Sequence, residues 1–130
     1  MNNKSRKAKG RYLQNLVRDR VIKLFPSLTK DDIRCALMSE PGADVKLTSL
    51  TSRKLMPYSI ETKNREEYKT IFKHWKQTKG HATNLEPLLV IKSNRQRALA
   101  IIDLEDFFSL LNVIILTILN IPKYKLIFFF

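Results

Sequence analysis

Apolar residues near the start of the chain recur three and four apart. Leu13, Leu16, Val17, Val21 and Leu24 share one side of a helical projection, with Arg11, Asn15, Arg18 and Asp19 on the other. The pattern predicts an amphipathic helix over about residues 10–24, ended by Phe25-Pro26-Ser27. Thr29 to Asp32 then reads as a short helical turn. After it the period changes to two: Ile33, Cys35 and Leu37 alternate with Arg34 and Ala36, as in a strand with one buried face. Residues 38–43 form a loop in which Gly42 permits close backbone approach and Glu40 is either a solvated acid or an extra carboxylate for a site.

Alternation resumes from Asp44 to Leu47 and again from Tyr58 to Lys63, around a polar Thr51-Ser52-Arg53-Lys54 stretch. This predicts a β-hairpin. With its turn between Ser52 and Arg53, Asp44 lies opposite Glu61, Val45 opposite Ile60 and Leu47 opposite Tyr58. Val45, Leu47, Tyr58 and Ile60 then supply a core face, and Asp44, Glu61 and Lys63 share the other.

Farther along, Asn64 is placed to cap a helix whose Tyr68, Ile71, Phe72 and Trp75 make an apolar stripe. Gln77 falls opposite that stripe, and Lys73 is among the basic residues on its other faces. Residues 80–84 are a loop, 87–92 and 98–104 two strands around a basic turn, and Asp103 or Asp106 a cap for a helix starting near Phe107. The expected order is α-β-β-β-α-β-β-α, an α/β chain with a mixed β-sheet flanked by helices.

Charge adds a partner to this picture. Lys and Arg number 24 against 12 acidic residues in a chain of 130, a formal charge of +12. That excess points to a polyanion, with nucleic acid first. Lys4, Arg6, Lys7, Lys9 and Arg11 precede any acid, so residues 1–9 are expected as a basic flexible arm that binds phosphates without reading sequence. Cys35 alone cannot form an internal disulfide and fits a reducing cytoplasm. With only His74 and His81 beside it, structural zinc is not expected. No apolar segment of signal-peptide type follows the charged start.

Candidate chemistry comes from the polar face of the hairpin. Residues directly opposed across two strands have Cβ atoms roughly 5 Å apart, and two carboxylates there repel unless a cation neutralises them. Hard oxygen ligands suit Mg²⁺ or Mn²⁺, which bind through one or two carboxylates, waters and phosphate oxygens. Such a cation would activate water for attack on a phosphodiester. Lys63 could orient that water or neutralise transition-state charge. The plain alternative for Glu61 and Lys63 is an exposed ion pair. Gln14 borders the apolar stripe of the first helix, as either a polar edge residue or a side chain turned toward a site.

These features resemble the PD-(D/E)xK nuclease superfamily, and more narrowly the small Holliday-junction-resolvase-like endonucleases of phages and prokaryotes. The resemblance covers about residues 9–111. It rests on Lys9-Gly10 with Gln14, on Gly42-Ala43-Asp44, on Ser59-Ile60-Glu61-Thr62-Lys63-Asn64, on Trp75-Lys76-Gln77 and on Ile102 to Phe107. It implies a restriction-endonuclease-like fold over residues 10–111, with 112–130 an apolar extension. It also implies Mg²⁺ held by Asp44, Glu61 and the Thr62 backbone carbonyl, a catalytic Lys63, and site-supporting roles for Gln14, orienting a water or ligand, and for Gln77, as a DNA or site contact. The archaeal resolvases carry Glu where this chain has Gln14, and Ala43 replaces the superfamily's Pro.

The expected activity is that of a metal-dependent DNA endonuclease, with branched DNA as the substrate class the resemblance suggests. A non-catalytic DNA-binding or recombination-accessory protein on the same fold is the alternative. A symmetric junction would favour a homodimer. The 15 uncharged residues from Phe107 to Ile121 fall short of the roughly 20 needed for a span, so a packing helix is expected rather than a membrane anchor.

Overall fold

In the computed structural model, residues 2–65 and 67–119 are described. The element order is α1 (Asn3–Leu24), β1 (Ile33–Cys35), β2 (Val45–Leu47), α2 (Leu50–Leu55), α3 (Lys69–His81), β3 (Leu89–Ile91), β4 (Leu99–Ile101) and α4 (Leu104–Ile118). Helices and strands mix as expected. Among the described residues, however, the strands form two antiparallel sheets of two strands each, β1-β2 and β3-β4, where one mixed sheet is expected. It divides into two compact units at residues 65/66, inside the stretch expected as one domain.

In the first unit, α1 begins seven residues earlier than the apolar pattern indicates. Asn2 caps it, its side chain accepting from the Ser5 amide at 2.9 Å. The segment expected as a basic arm is thus helical, continuous with the amphipathic part that buries Val17 and Val21. β1 and β2 pair with Ile33 opposite Leu47 and Cys35 opposite Val45. Ile33, Cys35 and Val45 are buried, so the predicted core face holds for them, but the strand ends at Cys35: Leu37, expected on that face, is exposed and Ala36, expected opposite it, is buried.

The third strand is reduced to one bridge. Val45 pairs with Ile60, in the register the sequence predicts, and the Ile60 carbonyl accepts from the Asp44 amide at 3.0 Å. The tight turn is replaced by α2. Ser49 and a fully buried Ser52 close a reciprocal capping box, and the segment coils instead of turning. A six-residue helix advances only about 9 Å, so it absorbs residues without displacing the base of the hairpin. The predicted apolar face is correspondingly incomplete: Leu47 pairs with Ile33, and Tyr58 is exposed.

The second unit holds α3, the β3-β4 hairpin and α4. α3 starts at Lys69 with no side-chain cap, so Asn64 does not cap it as expected. Of the predicted stripe Trp75 is buried and Phe72 exposed. β3 and β4 pair Leu89 with Ile101 and Ile91 with Leu99, shorter and less buried than the predicted strands. Asp103 caps α4 by accepting from the Glu105 amide at 2.8 Å, and the helix begins three residues before its expected start. Phe108, Asn112 and Leu116, four apart, are its buried side. Among the described residues no helix is long and apolar enough to cross a membrane. The apolar extension expected over 112–130 lies outside the described residues from position 120 onward.

Candidate metal and nucleic-acid site

Chain direction and pairing decide what meets Asp44. Because the Ile60 carbonyl accepts from the amides of both Asp44 and Val45, the next residues of that segment run past the Asp44 side chain. Asp44 Oδ2 accepts from the Thr62 amide at 2.7 Å and the Thr62 hydroxyl at 3.1 Å. No hydrogen bond among the described residues engages its other oxygen. Asp44 is half-buried, so this tether fixes the carboxylate more firmly than a solvated pair would.

Glu61 and Lys63, two apart just past the Ile60 bridge, project together as predicted. Lys63 Nζ donates to Glu61 Oε1 at 2.6 Å, with both side chains more than half exposed. The Lys63 ammonium is held above its ordinary pKa, first by this hydrogen bond and the Glu61 charge, and also by the charge of Asp44. The Asp44 carboxylate, expected on one face with this pair, instead meets Thr62, the residue between them, and acts on Lys63 as a lesser charge at a distance. The plain reading of Glu61 and Lys63 as an exposed ion pair describes their contact, but not their neighbour.

Thr62 is expected to offer its backbone carbonyl as a ligand; its amide and hydroxyl are what the structure engages. Asn64 ties the segment to the first helix, Nδ2 donating to the Lys9 carbonyl at 3.2 Å. A cleft of about 570 Å³ is lined by Lys7, Arg11 and Gln14 of α1, by the 36–40 loop and by Asp44. Gln14 thus shares a cleft with Asp44, although it lies 30 residues away in sequence. Arg11 is partly committed, donating to the Ala36 carbonyl at 3.0 Å.

α1 carries no acid in its first turn, and Lys4, Arg6, Lys7 and Lys9 follow its cap. Cations at a helix N-terminus oppose the macrodipole and repel one another. Bound phosphate would relieve both effects. Lys73 and Gln77 are exposed residues of α3 in the second unit.

One part of the surroundings is not foreseen from sequence. Arg34 and Lys46 face each other across β1-β2 on the side away from the core, an unfavourable pairing of like charges. Glu40 lies between them. Its carboxylate takes the Arg34 guanidinium fork at 2.8 and 2.9 Å, the Leu37 amide at 2.7 Å, and Lys46 Nζ at 3.8 Å. These partners, the Arg34 fork first and the Leu37 amide second, hold its pKa down to about 2. Neither a solvated loop acid nor an extra ligand, Glu40 is a clamp. The signal for it was the pair of cations on the polar face of the two alternating strands. Gly42 adopts φ +92°, a left-handed conformation that favours glycine, and a Cβ there would also press Lys46 Nζ, 3.1 Å away, to shift slightly.

Among the described residues no three His, Cys, Asp or Glu side chains converge as a metal-binding group. A cation held by Asp44 and Glu61 would have two carboxylates and neighbouring backbone oxygen as protein donors. That donor set fits Mg²⁺, which commonly keeps several waters and takes one or two protein carboxylates. Softer metals would want imidazole or thiolate, and the nearby thiol, Cys35, is buried and bonded to Asn15. No protein-family model, curated protein or solved structure matches the chain.

Proposed function

We propose that the protein is a Mg²⁺-dependent DNA endonuclease that hydrolyses phosphodiester bonds, with Asp44 and Glu61 holding the cation and Lys63 assisting the attacking water. The observation that carries this reading is the Val45 to Ile60 bridge, from which Asp44 reaches Thr62 while Glu61 and Lys63 pair beside it. Neutral rather than acidic Gln14 in the same cleft suits a hydrogen-bonding role toward a water or phosphate. The restriction-endonuclease-like fold and cytoplasmic setting belong to the same proposal.

A bound divalent cation supplies Lewis-acid stabilisation of charge on the phosphate and lowers the pKa of water. The chain's own residues do the rest. Thr62 orients the Asp44 carboxylate through two hydrogen bonds. Lys63, its ammonium held above its ordinary pKa, stabilises negative charge on the phosphate, and Glu61, its present partner, would be the residue to hold the cation. Lys4, Lys7 and Arg11 hold phosphates of the DNA backbone, whatever the base sequence.

The test is a panel of linear, nicked, flapped and four-way DNA incubated with Mg²⁺, Mn²⁺ or EDTA. Cleavage is expected with either metal, absent in EDTA, and abolished in Lys63→Ala with DNA affinity kept within several-fold. A Lys63→Ala protein that cleaves like wild type sinks the catalytic assignment. DNA binding without divalent-dependent nicking of any substrate would favour the accessory-protein alternative.

A further inference from the structure

The loop between β1 and β2 exposes its least polar residues. Leu37 is 69% and Met38 76% exposed, at a bend where polar residues would be easier to solvate. Exposure alone is ordinary for single apolar residues. Here it coincides with unusual restraint of the backbone that carries them.

Ala36 donates to the Asp44 carbonyl at 2.8 Å and its own carbonyl accepts from Arg11. Leu37 is held through both backbone groups, its amide by the Glu40 carboxylate and its carbonyl by the Glu40 amide at 3.1 Å. Lys46 fastens the Pro41 carbonyl at 2.6 Å. Ser39, at φ +62°, occupies a left-handed conformation that non-glycine residues seldom adopt. The bend is therefore clamped on both sides of an apolar tip. Leu37 and Met38 also line the cleft that contains Lys7, Arg11, Gln14 and Asp44.

We propose that Leu37 and Met38 form an apolar wedge that packs against an unstacked base at the branch point of a DNA substrate. The proposal rests on the DNA-cleaving reading above and deepens it by naming a feature of the substrate. Cations beside the tip recognise phosphate, but aliphatic side chains gain nothing from phosphate. They gain from the apolar faces of bases, which intact duplex keeps stacked. Leu and Met are among the side chains that enter base steps as wedges, at a cost of a few kcal/mol per step unstacked. A junction, flap or nick has already met part of that cost. The rigid tip thus favours branched over linear DNA without reading sequence.

The experiment measures binding in EDTA, which separates it from cleavage. Wild type and the Leu37→Ala, Met38→Ala double variant are titrated against linear duplex and against a four-way junction carrying 2-aminopurine at the branch. Both side chains are exposed, and equal unfolding midpoints will verify that the variant folds. Wild type is expected to prefer the junction and to raise 2-aminopurine fluorescence as the base loses its stack. The variant should keep its affinity for linear DNA, lose about tenfold in junction preference, and lose the fluorescence change. Unchanged preference in the variant overturns the wedge while leaving the cleavage reading intact. Wild type with no junction preference overturns it as well, as does a double variant impaired only in binding anionic vesicles. Loss of preference in the variant, in a wild type that never cleaves, supports the wedge and overturns the endonuclease.

Discussion

Replacing Asp44 separates its chemical role from its structural one, because two substitutions affect the two roles unequally. Oδ2 accepts two hydrogen bonds from Thr62, at 2.7 and 3.1 Å, and the acceptor is charged. A hydrogen bond to a charged group contributes about 1.5–3 kcal/mol, and a buried donor left unpaired costs about 1–3 kcal/mol. Half-burial places the site toward the lower end, so Asp44→Ala should cost about 2–3 kcal/mol. Asp44→Asn keeps an oxygen acceptor of the same reach and should cost about 1 kcal/mol. For a unit of this size, each kcal/mol lowers the midpoint by roughly 4–8 °C. Catalysis should respond differently: loss of a carboxylate ligand removes several kcal/mol of transition-state stabilisation, about a hundredfold or more in rate, in both variants. Thermal unfolding and single-turnover cleavage of labelled DNA in Mg²⁺ measure the two effects. An Asp44→Asn protein cleaving at the wild-type rate refutes the ligand role. An Asp44→Ala protein as stable as wild type refutes the Thr62 tether.

The Glu40 clamp has a pH signature. Its pKa is lowered from 4.5 to about 2, so its contribution to stability is fully present above the unfolded value and is lost as pH falls from about 4.5 toward 2. Urea midpoints of wild type and Glu40→Gln should differ most near neutrality and converge through that window; a constant gap would count against the clamp. The basic start of α1 should show itself in salt dependence. Replacing Lys4, Arg6 and Lys7 by Ala should flatten the plot of log K against log salt by about 0.9 for each phosphate no longer neutralised, and an unchanged slope in equilibrium binding would remove α1 from the interface.

Legibility from sequence followed the range of the physics. Helices with a strong local signal were found, and their limits moved where a cap decided them. Asn2 started α1 before its apolar stripe, and Asp103 started α4 before Phe107. The β1 and β2 core faces followed from alternation because each side chain's direction is set by its own backbone. Residues 50–55 form a helix where a turn is expected. Two serines three apart are a weak capping signal until the chain around them closes. The expected buried stripe of α3 failed at Phe72 because helical spacing names a face without providing something to cover it.

At the site, the sequence alone determined that Glu61 and Lys63 project together, that Val45 meets Ile60, and that Asp44 lies nearby. Those are consequences of strand periodicity and register. Tertiary structure decided what each group does there. It turned the Asp44 carboxylate onto Thr62, set Gln14 on the cleft, and placed Glu40 between Arg34 and Lys46. Such pairings join residues whose separation along the chain carries no periodic signal. They arise only once packing has chosen which faces meet.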